Sequence, residues 1–209
     1  MRAEKKMIAL PALIMIMLSM TGVAVAHWSD SIQIEGTVHM ASMTLAFDNY
    51  EPPICTEFHE VDGGLVPGEL CGKNVGKTTC YYEGVITDPH TGKWGYENMI
   101  IMIDNAYPSY RVHCTTIVHN IGQIPVDICG FVVTDPTGVL TWDDNEGALV
   151  DKNGKPIINI THVDLVGDQI DPCQREKSEF DFHIKQDAQE CHTYYFKIEI
   201  VYNQWGCTE

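Results

Sequence analysis

Thr193-Tyr194-Tyr195-Phe196-Lys197-Ile198-Glu199-Ile200-Val201-Tyr202 decides the fold class. Tyr194, Phe196, Ile198, Ile200 and Tyr202 fall on alternate positions, and Lys197 and Glu199 fall between them. Successive strand side chains point to opposite faces of a sheet, so this pattern predicts a strand with a core face and a solvent face. Outward from it, similar runs predict strands over 79–86, 96–103, 110–119, 126–134, 157–166 and 179–185, and towards the N-terminus over 32–40 and 43–47. Turn chemistry separates them: Asn120-Ile121-Gly122-Gln123, Asp135-Pro136-Thr137-Gly138 and Asp151-Lys152-Asn153-Gly154 place Gly or Asn where φ must be positive. No convincing helical period follows the first 26 residues. About nine strands spaced by such turns predict an all-β, antiparallel β-sandwich. The stretch Asp48 to Gly76, with Gly63, Gly64, Gly68 and two cysteines, reads as a long loop pinned by disulfides.

Residues 1–26 read as a signal peptide. Arg2, Lys5 and Lys6 precede an apolar run from Met7 to Met20, and Val23-Ala24-Val25-Ala26 supplies the small-residue cleavage pattern. The alternative is a retained anchor, since Met7 to Ala26 is just long enough to span a bilayer as a helix. Cleavage leaves residues 27–209 as a single domain of ordinary size with ten basic and 28 acidic residues, a formal charge of −18. Such a charge repels phosphate and anionic lipid, which excludes nucleic acid as a partner and any membrane role beyond the leader. A secreted protein, extracellular or at the cell surface, is expected.

The eight cysteines, Cys55, Cys71, Cys80, Cys114, Cys129, Cys173, Cys191 and Cys207, all follow the leader. An even count behind a signal peptide predicts up to four disulfides, with 105 possible pairings open for eight cysteines. Register suggests one pair. If Asn120 to Gln123 closes a hairpin with His119 opposite Ile124, Cys114 lies opposite Cys129, at about 4.5–5.5 Å, within reach of a disulfide.

Catalytic signatures fail on inspection. Gly72-Lys73-Asn74-Val75-Gly76-Lys77-Thr78 has one residue too few between its glycines for a phosphate-binding loop, and His59-Glu60 lacks the second histidine of a zinc protease, because Gly63 stands there. No enzyme activity is expected and no cofactor is required. Asp143, Asp144, Asn145, Glu146, Asp151 and Asn153 gather oxygen ligands suited to calcium, or alternatively form a solvated acidic surface. Asn159-Ile160-Thr161 is a sequon, so Asn159 is a glycosylation candidate, unless it lies within a strand and serves no such role.

The segment His27-Trp28-Ser29-Asp30-Ser31-Ile32-Gln33-Ile34-Glu35-Gly36-Thr37-Val38 resembles the opening of TasA and camelysin-like secreted proteins, especially their archaeal branch. Asp104 to Tyr110, His119 to Val126 and Asp171-Pro172-Cys173-Gln174 add to the likeness. The resemblance implies a leader handled by a SipW-type signal peptidase and a jelly-roll-like sandwich. It further implies cell-surface or biofilm-matrix fibres in which the N-terminal segment of one subunit completes the sheet of the next. Eight cysteines depart from the bacterial pattern. The protease activity suggested for some relatives has no matching motif here.

The expected function is therefore a structural subunit of an extracellular fibre or matrix, self-associating by β-strand addition, with Ile32, Ile34, Gly36, Val38 and Met40 as donor-strand positions. The alternative is a monomeric, calcium-dependent surface binding module or adhesin that holds a glycan or another surface protein.

Overall fold

The computed structural model describes residues 14–17, 40–61, 64–67, 76–163, 165–204 and 206–207. It divides into two units, residues 1–39 and 40–209. In the first, residues 14–17 form a helical turn with exposed side chains. No helix among the described residues is long and apolar enough to cross a membrane. The leader's cleavage site and Ile32, Ile34, Gly36 and Val38 lie outside the described residues.

The second unit is an antiparallel β-sandwich. Its described strands are β1 (Leu45–Phe47), β2 (Ile54–Val61), β3 (Gly64–Pro67), β4 (Lys77–Thr87), β5 (Trp94–Ala106), β6 (Arg111–Asn120), β7 (Val126–Thr134), β8 (Thr141–Asp143), β9 (Ala148–Val150), β10 (Pro156–Val163), β11 (Gln169–Ile170), β12 (Arg175–Ile184) and β13 (His192–Asn203). One layer runs β11-β7-β13-β5-β4 and the other β6-β12-β10-β9-β8, with β2 and then β3 added beside β6. Aromatic rings from strands that share no ladder meet between the layers: Phe131 of β7 lies 4.9 Å edge-on from Phe180 of β12, and Phe182 of β12 lies 5.3 Å from Phe196 of β13. The alternation that predicted β13 holds, with Tyr194, Phe196 and Ile198 buried and Ile200 and Tyr202 packed against the core.

β1 joins the layers. Its three residues pair with Val118 to Asn120 of β6, while Phe47 also pairs with Tyr96 of β5. This corner needs a glycine at 95, where an added Cβ would stand 2.6 Å from both the Ala46 Cβ and the Phe47 carbonyl oxygen. Backbone cannot yield as a flexible side chain can. Gly95→Ala is therefore expected to lower stability by about 1–3 kcal/mol, as overpacking does. Chemical denaturation should show a lower midpoint, and an unchanged midpoint would mean that β1 does not press on β5.

Two expectations are corrected. Asp48 to Gly76 is not simply a loop, since it carries β2, paired with β6 over Ile54–Phe58, and the β2–β3 hairpin. Its polar, weakly alternating sequence becomes a strand because β6 offers it an edge, a case of tertiary pairing overriding local propensity. Nor is Asn120 to Gln123 a hairpin loop between paired strands. β6 has β12 along one edge and β1 and β2 along the other, so β7 finds no edge there and pairs with β13 and β11 instead. His119 stands opposite Ala46 and Arg175, not Ile124. The crossing segment is held by backbone N–H groups of Ile121 and Gly122 donating to Thr44 O at 3.0 and 3.1 Å. The buried Asn120 amide adds bonds to Ile124 O and Ile170 O at 2.8 and 2.9 Å. Cys114 and Cys129 thus belong to different layers. Cys114 is bridged to Cys55, its direct cross-strand partner, and Cys129 to Cys207.

The strands beyond the nine expected are mostly short. β8, β9 and β11 have three, three and two residues, too few for a period to register in sequence.

Candidate functional site

β4 is an eleven-residue strand that pairs, among the described residues, with β5 alone. Its inner side chains anchor it. Tyr82 stacks on Phe47 at 5.3 Å and on Tyr96 at 5.5 Å, and its hydroxyl meets Thr116 Oγ1 of β6 at 2.5 Å. Thr78 Oγ1 meets the Tyr110 hydroxyl at 3.0 Å. On the other face Tyr81 and Val85 are 42% and 65% exposed. A row of unpaired backbone N–H and C=O groups backed by rigid packing is a template for another strand. At the start of the edge the Thr78 N–H is taken by Glu57 Oε1 at 2.5 Å, and within it Gly84 takes a φ of +75° while the pairing with β5 continues in register to Thr87. Of the donor positions, Met40 is described and is 79% exposed. The core shared by the two layers begins at Leu45.

The turn after β4 is built on Asp88, which is buried. Its Oδ1 accepts the N–H groups of His90 and Thr91 at 3.0 and 2.8 Å, and its Oδ2 accepts the Thr44 hydroxyl at 2.7 Å. Burial alone would raise the carboxyl, but the bonds from Thr44, Thr91 and His90 outweigh it and hold Asp88 well below the usual carboxylate range. A native pKa below that of the unfolded chain, about 3.9, gives stability that is complete above that value and lost as pH falls through the native one. Asp88→Asn is expected to lower the melting temperature at neutral pH and to flatten its fall between about pH 4 and pH 2. Parallel acid slopes for the two proteins would contradict this. The pattern Asp88-Pro89-His90-Thr91-Gly92 resembles the turn signature recognised at Asp135, so the sequence carried a signal for it.

A second locus surrounds Asp48, whose side chain is fully buried. Its Oδ2 accepts the N–H groups of Tyr50 and Glu51 at 3.2 and 3.3 Å. Its Oδ1 lies 3.3 Å from Arg175 Nε and 3.5 Å from His119 Nδ1. Burial, then the Arg175 charge, keeps the His119 ring below its ordinary pKa and so neutral. Arg175 sits 4.7 Å over the Tyr50 ring. Above them opens a pocket of about 580 Å³ lined by Tyr50, Lys93, Trp94, His119, Cys173 and Arg175, with Lys93 Nζ donating to Cys173 Sγ at 2.7 Å. Sequence reading missed this site because its residues come from four distant segments.

The calcium candidates serve their own turns. Asp143 Oδ1 accepts the N–H groups of Asn145 and Glu146, Asp144 Oδ1 accepts the Trp142 indole N–H, and Asp151 Oδ1 accepts the N–H groups of Asn153 and Lys155. Among the described residues, the one group of three potential metal ligands within 4.8 Å of one another is Cys55, Cys80 and Cys114, and two of those sulfurs are bridged. Asn159 lies in β10 between β9 and β12, opposite Ala148 and His183. Its Oδ1 is buried without a hydrogen-bond partner. Cys80, Cys173 and Cys191 are unbridged, and Cys71 lies outside the described residues.

Comparison with protein-family models, with curated proteins and with solved structures found no match to this chain.

Proposed function

We propose that the chain is an exported structural subunit of an extracellular fibre or surface matrix, assembled when residues 27–40 of one copy add as a strand to β4 of the next. The observation that carries this reading is the long β4 edge, paired on one side among the described residues and braced from behind by Tyr82 and Thr78. Main-chain hydrogen bonds along such an edge supply affinity, and alternate side chains supply specificity. The alternating Ile32, Ile34, Val38 and Met40 suit that role, as does the likeness of the N-terminal segment to fibre-forming secreted proteins. Two disulfides fit an oxidising compartment. Electron microscopy and sedimentation of residues 27–209 over a concentration series test it. Fibres or discrete multimers that grow with concentration are expected, and a monomer at every concentration would reject the proposal.

The pocket over Asp48 favours a second reading, a binding module for an acidic saccharide. Trp94 and Tyr50 are 41% and 73% exposed, and the cations Lys93 and Arg175 line the same pocket, within a chain of formal charge −16. Indole fluorescence titrated with an acidic oligosaccharide should saturate in the intact protein and not in Trp94→Ala. No saturation in either would remove this reading without touching the first.

A further inference from the structure

We infer that Cys80 and the Cys55–Cys114 bridge form a thiol–disulfide exchange centre, in which the bridge moves between a within-layer form, Cys55–Cys114, and a between-layer form, Cys80–Cys114. The three sulfur atoms lie within 4.8 Å of one another. They arrive from three strands, Cys55 on β2, Cys80 on β4 and Cys114 on β6, and Cys80 is unbridged. Cys55 and Cys114 face each other directly on neighbouring strands of one layer. Cys80 reaches them from the other layer, and its thiol donates to Pro53 O at 3.4 Å, which holds it beside the start of β2.

Exchange proceeds when a thiolate attacks one sulfur of a disulfide and expels the other. The burial of the two bridged sulfurs decides which is attacked. Cys114 is fully buried and Cys55 is only partly so, so an expelled Cys55 thiolate is better solvated than an expelled Cys114 thiolate. Attack by Cys80 on Cys114 Sγ forms the Cys80–Cys114 bond, breaks the Cys55–Cys114 bond and leaves Cys55 as a thiolate. That thiolate takes up the proton that Cys80 gave up. One disulfide and one thiol are present before and after, so no oxidant or reductant is consumed. Burial pushes the Cys80 thiol up, which keeps the nucleophile mostly protonated and the exchange slow at neutral pH.

The two forms differ mechanically. Cys55–Cys114 ties two adjacent strands of one layer, whereas Cys80–Cys114 ties the edge strand β4 to β6 across the core and leaves β2 held to β6 by its backbone pairing alone. The centre exists in the single subunit and does not depend on assembly.

Peptide mapping under non-reducing conditions tests the inference. The purified protein is equilibrated in a glutathione redox buffer, quenched with acid and alkylated. Wild type should yield both Cys55–Cys114 and Cys80–Cys114 peptides, and Cys80→Ser only the first. Cys55→Ser, refolded in the same buffer, should yield Cys80–Cys114. In wild type, iodoacetamide present during equilibration should capture Cys55 progressively, and in Cys80→Ser that capture should fall at least tenfold. Wild-type maps that show Cys55–Cys114 alone with Cys80 always alkylated would overturn the inference. So would Cys80 joined to Cys71, Cys173 or Cys191. Because the wild-type map decides alone, a Cys55→Ser variant that fails to fold leaves the test intact.

Discussion

Replacing Ile34 and Val38 together by Asp is expected to leave a secreted, disulfide-bonded monomer that no longer forms fibres. In an added strand the alternating Ile32, Ile34, Val38 and Met40 would share one apolar face, and burying each such side chain is worth about 1.5–3 kcal/mol. Four of them, about 6–12 kcal/mol together, act with a row of main-chain hydrogen bonds along β4 against an association cost of about 4–15 kcal/mol. Gly36, in the same alternating run, would leave room in an added strand for close approach of a neighbouring backbone. Two aspartates there oppose addition, because burying a carboxylate between strands costs its hydration. The sandwich itself should be untouched, since its described core begins at Leu45. Electron microscopy and sedimentation check the loss of assembly, and circular dichroism checks that the fold remains. A double variant that fails to fold, alongside a wild type that stays monomeric, would return the strand to its own domain and end the fibre proposal.

Phe182→Ala is expected to cause the largest loss of stability from a single core change. The Phe182 ring is 1% exposed, stacks 6.3 Å from Phe180 on its own strand and meets Phe196 of the opposite layer at 5.3 Å. Emptying such a site costs about 3–5 kcal/mol, the transfer term plus the cavity left between layers that cannot close on it. For a domain of this size each kcal/mol lowers the melting temperature by about 2–4 °C. A melting temperature within about 3 °C of wild type would show that the two layers do not pack through Phe182 and Phe196.

The strands most legible in sequence were those with one face on the core and the other towards solvent. β13, β6 and β12 alternate cleanly, because Phe196, Val112 and Phe180 each sit between residues that reach the surface. β2 was illegible for the converse reason, since Thr56, Glu57 and His59 give it no apolar period and its existence depends on the edge of β6. The disulfide expectation failed one step further on. The turn residues at Asn120 to Gln123 mark where β6 ends, but not that its edges are already taken by β1, β2 and β12. Those occupied edges send the chain to the other layer and leave Cys114 to Cys55. The Asp48 pocket lay beyond sequence reading, since Lys93, His119 and Arg175 converge only after three separate strands have paired. The cysteines were legible as disulfide candidates, and the gathering of Cys80 with Cys55 and Cys114 was not.

The claim that copies join along β4 is tested most directly by hydrogen exchange of assembled and monomeric protein, read peptide by peptide. Apart from the Thr78 N–H, which Glu57 already accepts, the outward N–H groups of β4 exchange in the monomer and become protected when a strand adds to the edge. Assembled wild type is expected to gain protection in that peptide and in residues 27–40, with little change in β12 or β10, while the Ile34→Asp, Val38→Asp protein gains none. Assemblies whose added protection falls elsewhere and spares residues 77–87 would contradict the account.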